Sequence, residues 1–239
     1  MGVPTDKIFL RAEWRQLAML NYEIEPEVLA PFVPRGVELD SFNKKTFVSM
    51  VGFLFLNSRV WGVPFPLHRN FEEVNLRFYV RRKADDGWRR GVVFIRELVP
   101  RPFVAFIARR VYNEPYLALP MEHRVGKNSA EYSWRFAGRD NWLRVVTGGE
   151  PQKLPAGSEA EFITEHYWGY TRQRDGSTME YRVEHPRWRF TEAADAQLKC
   201  DIAGLYGAPF VETLSRKPTS AFIAEGSAVT VSYGARLRS

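Results

Sequence analysis

The chain has 239 residues, 45% hydrophobic and 14% aromatic, so it carries enough apolar side chain to bury a full core and is neither disordered nor fibrous. No segment approaches the roughly 18 consecutive apolar residues that span a bilayer, and the one cysteine, Cys200, excludes an internal disulfide framework. The net charge of +6 is interleaved with 28 acidic residues along the whole chain, so we expect neither a nucleic acid nor a membrane as partner.

The start of the chain is charged. Asp6, Lys7, Arg11 and Glu13 interrupt the apolar stretch that a signal peptide requires. Together with the single cysteine, which is typical of a reducing compartment, this pattern predicts a cytoplasmic protein.

Most of the chain alternates apolar and polar residues with a period of two, as β-strands do. The pattern predicts strands at Thr46 to Leu56, Asn75 to Lys83, Gly91 to Leu98, Phe103 to Arg110, Glu131 to Phe136, Trp142 to Val146, Met179 to Glu184, Ser220 to Ala224 and Ala228 to Tyr233. The sequence ADDG at Ala84 to Gly87 is predicted as a hairpin turn between two of these strands.

Helices are predicted to be few and short. Pro26 to Val33 has a proline in its first turn and ends before Pro34. Ser158 to His166 begins with the spacing of a capping box, and Asp201 to Leu214 contains glycines and a proline that break its middle. We therefore expect one mostly β domain over residues 1–239, whose sheet closes into an open barrel or cone and so removes its exposed edges.

The strand at residues 73–80 is the clearest physical indication of a site. Glu73, Asn75, Arg77 and Tyr79 share one face, and apolar residues occupy the other. On an open sheet the polar face meets water, which is the simpler interpretation. Inside a closed sheet it lines a cavity, where Arg77 can hold a carboxylate with two hydrogen bonds.

The segment Asn113 to Glu122, NEPYLALPME, resembles the active-site strand of the acetoacetate decarboxylases. In that family an Arg-Glu pair leads to an aromatic-Pro-Lys-Lys sequence, whose first lysine forms the Schiff base. Here Met121 and Glu122 follow Pro120, so the resemblance implies the fold and a pocket but argues against Schiff-base chemistry. It also implies that Met121 and Glu122 lie in the substrate pocket.

Other pieces extend the resemblance over most of the chain. Arg15 falls where the family keeps a substrate-binding arginine, and Phe71-Glu72-Glu73 is similar to its Tyr-x-Glu, which implies that Glu73 is an active-site carboxylate. The sequences RNFEEVNLRFYV, EHYWGY, EHPRW and AEGS resemble the bacterial YqjF-like group of acetoacetate-decarboxylase-like proteins. That closer resemblance implies the same open barrel or cone and does not indicate an activity.

Four histidines are present, His68, His123, His166 and His185, too far apart in sequence for metal-ligand spacing, so we expect no metal and no cofactor. A histidine beside a glutamate, as at His166, is either a general base or a hydrogen-bonded structural pair.

Two functions remain open. The first is an enzyme acting on a small polar, carboxylate or carbonyl metabolite, with Glu73 as acid or base and His123 or His166 assisting proton transfer. Its substrate would contact Arg15, Asn75, Arg77, Tyr79, Met121 and Glu122. The second is a non-catalytic protein that binds or senses a metabolite in the same cavity, or has a structural role in an assembly. Homo-oligomers are possible in either case.

Overall fold

The computed structural model describes residues 7–64 and 69–237. It is built mainly of β-strands, which in chain order are β1 Ile8–Ile24, β2 Glu38–Leu39, β3 Thr46–Val60, β4 Val63–Pro64, β5 Phe71–Ala84, β6 Gly87–Val99, β7 Tyr116–Ala118, β8 Met121–Gly126, β9 Ser129–Phe136, β10 Arg139–Thr147, β11 Gln152–Lys153, β12 Trp168–Arg172, β13 Thr178–Glu184, β14 Arg189–Lys199, β15 Ser220–Ser232 and β16 Ala235–Arg236. The predicted mostly β class is confirmed.

Seven strands form a closed ring. Their order is β13-β12-β6-β5-β3-β1-β15, and β15 pairs back onto β13 through Val183 with Val231 and Glu184 with Thr230. The pairings are antiparallel except for the short parallel contact of β12 with β6. A second group, β14, β10, β9 and β8, continues from β15 and covers the outside of the ring.

Both faces of the central strands are therefore buried. Along β5, Val74, Leu76 and Phe78 point into the large core between the ring and the outer strands. Phe71 and Tyr79 belong to a second hydrophobic cluster on the opposite face. Since neither face of β5 meets bulk water, the polar residues on this strand require partners inside the protein.

The helices are short. They are α1 Pro26–Leu29, α2 Pro102–Val111, α3 Glu159–Thr164, α4 Ile202–Tyr206 and α5 Val211–Leu214, with single 3₁₀ turns at Ala30–Phe32 and Ala208–Phe210. The three predicted helical regions are confirmed. Ser158 caps α3 by accepting a hydrogen bond from the Glu161 amide, as the capping-box spacing predicts.

The prediction of a strand at Phe103 to Arg110 is wrong, because this segment forms α2. Pro102 occupies the first helical position, where its fixed φ angle favours a helix, and Ala105 packs against the core as the one buried residue. The apolar run FVAFIA is compatible with either structure by periodicity alone, and the proline decides the outcome.

Strand β1 contains an irregularity that matters for the site. Between Arg15 and Ala18 the register with β3 shifts by one residue, and Gln16 adopts a φ of 55°. Opposite Arg15, Gly226 of β15 has a φ of +75°, and a Cβ atom there would lie 2.0 Å from the Trp14 carbonyl oxygen. Glycine is therefore required at this position by both backbone conformation and space.

We predict that Gly226→Ala lowers the free energy of unfolding by about 2–4 kcal/mol, from the left-handed backbone and the clash together. Gly62 is a matched control, because its φ is +77° and nothing lies within 4 Å of its missing Cβ. Gly62→Ala should cost only about 1–2 kcal/mol. Urea unfolding of the three proteins measures the difference, and equal losses would contradict the steric argument.

Candidate functional site

The interior of the seven-strand ring contains a cavity of about 180 Å³. Every strand of the ring contributes to its wall, and α2 closes one side. The wall is mostly apolar and rich in aromatic side chains, including Trp14, Phe53, Phe55, Phe94 and Trp188. A small set of polar groups interrupts this apolar surface, which is the usual composition of a small-molecule site.

The polar region is centred on β5. Glu73, Asn75 and Arg77 occupy alternate positions and all line the cavity. The structure thus brings together three of the residues predicted from the period-two pattern. Glu73 and Asn75 are each only 2% exposed.

Glu73 is held by two donors. The Tyr116 hydroxyl donates to Oε2 at 2.9 Å, and the Asn75 side-chain amide donates to Oε1 at 3.1 Å. Tyr116 is positioned by β7, which pairs in parallel with β6. Burial raises the pKa of Glu73 to about 7, against the opposing effect of these two hydrogen bonds and of the Arg77 charge.

Two further glutamates face the same cavity. Glu114 accepts hydrogen bonds from the hydroxyls of Thr171 and Tyr181, the latter at 2.7 Å, and burial raises its pKa to about 7 against these bonds. Glu97 lies directly across from Asn75 in the β5–β6 ladder. Burial, and then the neighbouring charges of Glu114 and Glu73, raise its pKa well above the usual value.

The negative charge of the cluster formed by Glu73, Glu97 and Glu114 is incompletely balanced by cations. Arg77 is the one arginine or lysine among the described residues that line the cavity. Its Nη2 reaches the Ile163 carbonyl at 3.4 Å, and its buried Nε has no hydrogen-bond partner. Because the three glutamates outnumber the cations, part of the cluster is protonated at neutral pH.

His166 also lines the cavity and belongs to a second polar group. Its Nε2 lies 3.4 Å from Asp40 Oδ2, which accepts a 2.6 Å hydrogen bond from Arg90 Nε. Burial lowers the pKa of His166 to about 4, so the ring is neutral at pH 7. Burial alone would raise the pKa of Asp40, but the contacts with His166 and Arg90 outweigh it and lower the value to about 2.

Arg15 and Tyr79 are not among the residues that line the cavity. The irregularity in β1 directs the Arg15 side chain to Glu13, whose Oε2 accepts bonds of 3.0 and 2.7 Å from it. Tyr79 continues the β5 face, but its hydroxyl is engaged with Ser49 Oγ at 2.6 Å beside the ring of Phe162. The structure therefore does not join these two residues to the Glu73 group.

Met121, Glu122 and His123 lie on β8, outside the ring. Met121 packs against the large core on the other side of the sheet, and Glu122 is exposed. His123 Nδ1 is 3.1 Å from Glu72 Oε2, on the face of β5 that points away from the cavity. The structure separates these three predicted residues from Glu73 because β8 joins the outer group of strands.

The sequence reading missed most of the residues that surround Glu73. Glu97, Tyr116 and Tyr181 come from three other strands, and Glu114 comes from the segment between α2 and β7. Glutamate and tyrosine at inward positions of strands give a weak local signal. The hydrogen-bonded pairs of this group are separated by 43 to 67 positions, so only the strand register brings them together.

No metal arrangement is found in the described part of the chain: it contains no group of three or more His, Cys, Asp or Glu residues that could hold an ion. His68 lies outside the described residues. None of the helices within residues 7–64 and 69–237 is long and apolar enough to cross a bilayer.

Comparison with solved structures places the fold. Acetoacetate decarboxylase from Legionella pneumophila superposes with a TM-score of 0.68 and 14% identity, over 97% of this chain and 88% of that one. The enduracididine biosynthesis enzyme MppR complexed with pyruvate gives 0.64 and 13%, over 98% and 89%. An acetoacetate decarboxylase-like enzyme from Sphingomonas wittichii RW1 gives 0.63 and 12%, over 98% and 95%. At these identities the similarity establishes the fold alone.

Comparison with known sequences identifies the family. The uncharacterized protein YqjF of Bacillus subtilis (strain 168) is 25% identical over 191 residues, which cover 78% of this chain and 77% of that protein. The model of the DUF2071 family, described as an uncharacterized conserved protein, matches residues 11–228. The resemblance to YqjF-like and acetoacetate-decarboxylase-like proteins is thereby confirmed, and the chain belongs to the DUF2071 family.

Proposed function

We propose that this protein is an acid–base enzyme that acts on a small carbonyl or carboxylate metabolite bound inside the ring, without a Schiff base. The observation that carries the proposal is the position of Glu73, a buried carboxyl with a pKa of about 7 on the wall of an apolar cavity. A group with a pKa near the working pH both accepts and donates protons efficiently. Perturbed groups of this kind in a cavity are typical of catalytic sites.

Arg77 supplies the second requirement, a binding group for negative charge. Arg77 lines the cavity, and its hydrogen bond to the Ile163 carbonyl is long at 3.4 Å, so a ligand oxygen can compete for the guanidinium. Arginine binds carboxylates and developing oxyanions with directed, charge-assisted hydrogen bonds. Since Arg77 is two residues from Asn75 and four from Glu73 on one strand face, ligand and carboxyl are held on the same wall.

The reaction that fits these groups is proton transfer at a carbon next to a carbonyl. Glu73 in its ionised form removes the proton, the electron pair of the broken C–H bond forms a carbon–carbon double bond, and the carbonyl π pair moves to the oxygen to give an enolate. Arg77 stabilises the negative charge on that oxygen, and Glu73 returns the proton to complete the cycle. No lysine lines the cavity among the described residues, which supports a route without an imine.

The pyruvate complex of MppR supports the choice of ligand class, because it is a 2-oxo acid bound to a protein of the same fold. The aromatic walls support the choice of chemistry. They exclude water from Glu73 and Arg77 and so strengthen the electrostatic interaction between a bound oxyanion and the guanidinium.

We predict that the protein exchanges the α-hydrogens of a 2-oxo acid or a β-diketone for deuterium in heavy water. Glu73→Gln should slow this exchange at least about 100-fold, because the general base is lost. Proton NMR of 2-oxobutanoate and acetylacetone measures the rate. Glu122→Gln, which removes an exposed carboxylate outside the ring, is the control and should leave the rate unchanged.

Arg77→Met is expected to weaken binding of 2-oxobutanoate in a thermal-shift titration by at least about tenfold, because the charge-assisted bonds to the carboxylate are lost. If the wild type and Glu73→Gln both bind the ligand and neither exchanges its hydrogens, the protein is a non-catalytic metabolite-binding protein and the enzyme proposal is wrong. Binding unaffected by Arg77→Met would contradict the assigned ligand orientation.

A further prediction concerns the pH dependence of stability. The pKa of Glu73 rises from 4.5 to about 7 on folding, so its contribution to stability is fully present below pH 4.5 and is lost as the pH rises to about 7. Between these two values the wild type should lose on the order of 2–3 kcal/mol relative to Glu73→Gln. Urea unfolding at several pH values measures this loss. If the difference in unfolding free energy between the two proteins stays constant across this pH range, folding does not raise the pKa of Glu73.

A further inference from the structure

The cavity wall changes from polar to apolar along the β3–β5 ladder. The cavity-lining pairs of this ladder are, in order, Asn75 with Val51, Glu73 with Phe53 and Phe71 with Phe55. Each pair lies about 6.8 Å from the next along the strands. The rings of Phe55 and Phe71 stack with 4.9 Å between their centroids. Polar side chains therefore end at Glu73, and aromatic rings form the wall beyond it.

The part of the cavity beyond Glu73 is an apolar passage. Trp14 of β1 packs on Phe55 with 5.8 Å between ring centroids, and Ile107 of α2 joins Trp14 in one hydrophobic cluster. Within the described chain, the residues of β1 and β3 that line this part are apolar apart from Ser58. We call it the apolar throat, and its walls include Leu10, Trp14, Phe55, Val60, Phe71 and Ile107.

The apolar throat leads to the protein surface. Trp61, which follows β3, and Phe103, in the first turn of α2, both line the cavity and are 60% and 42% exposed. Arg77 lies on the other side of Glu73, six residues from Phe71 along β5. A ligand whose charged end contacts Arg77 therefore has its other end in the throat, pointing toward Trp61.

The composition and size of the throat define what that other end is. A charged or strongly hydrated group loses its water there without gaining hydrogen bonds, whereas each methylene group that is buried strengthens binding about fourfold. An apolar protein cavity of roughly 150 Å³ holds benzene. The cavity of about 180 Å³ thus accommodates a small polar head and a tail of roughly four to six carbons.

We propose that the substrate of this site is a 2-oxo acid with an apolar tail, bound with its polar head inward. The carboxylate and carbonyl lie at Arg77 and Glu73, and the tail fills the apolar throat. This inference rests on the proposed function for the head and adds the chemical class of the tail. Affinity therefore rises with the length of the tail until the throat is filled.

The test compares 2-oxobutanoate with 2-oxooctanoate, which has the same head and four more methylene groups. Calorimetric titration of the full chain at pH 7.5 measures both affinities. The wild type should bind 2-oxooctanoate at least about tenfold more tightly, which is below the roughly 250-fold gain expected if all four groups were fully buried.

Ile107→Gln places a polar amide in the throat on the half-buried side of α2. It should lower the ratio of the two affinities at least about fivefold. Phe106→Gln is the matched control, because Phe106 lies on the same helix, is 54% exposed and is not part of the described cavity wall. It should leave the ratio unchanged. An unchanged ratio in Ile107→Gln would contradict the position of the tail.

If Ile107→Gln does not fold, the ratio in the wild type decides the question by itself. Equal affinities for the two acids would overturn the apolar tail, while hydrogen exchange that depends on Glu73 would still support the proposed function. Tighter binding of 2-oxooctanoate without any hydrogen exchange would support the tail site and contradict the catalytic role of Glu73. Failure to bind either acid would overturn both proposals.

Discussion

The pairing of β13 with β15 closes seven strands into a ring, and the rest of the structure depends on this closure. It gives β5 an interior on both faces, with the large core on one side and the cavity on the other. Without it the row Glu73, Asn75 and Arg77 would meet water, and none of these groups would need a partner. Closure therefore changes an ordinary polar strand face into a buried site.

Burying three carboxyls in one cavity costs desolvation free energy, and hydrogen bonds within the protein offset this cost only in part. Hydrogen bonds from Tyr116, Thr171 and Tyr181 support two of them, and Glu97 keeps one oxygen without a donor. The raised pKa values of Glu73, Glu97 and Glu114 are the consequence of this arrangement.

The fold is shared with acetoacetate decarboxylases, but the polar groups are distributed differently from what the resemblance implied. Met121 and Glu122 lie on an outer strand, and Arg15 is turned toward Glu13. The groups that do meet in the ring are glutamates, tyrosines and one arginine. Similarity of fold therefore does not carry a site with it, and the chemistry has to be argued from the side chains present.

The sequence by itself determined the mostly β class, the hairpin at Ala84 to Gly87 and the common face of Glu73, Asn75 and Arg77, because side-chain alternation along a strand is a local property. It misjudged Phe103 to Arg110, where an apolar run fits both periods. Only the tertiary structure decided that Glu97 stands beside Asn75, that Tyr116 reaches Glu73, and that Arg15 turns away. Those contacts depend on register, bulges and ring closure between distant segments, which no local pattern encodes.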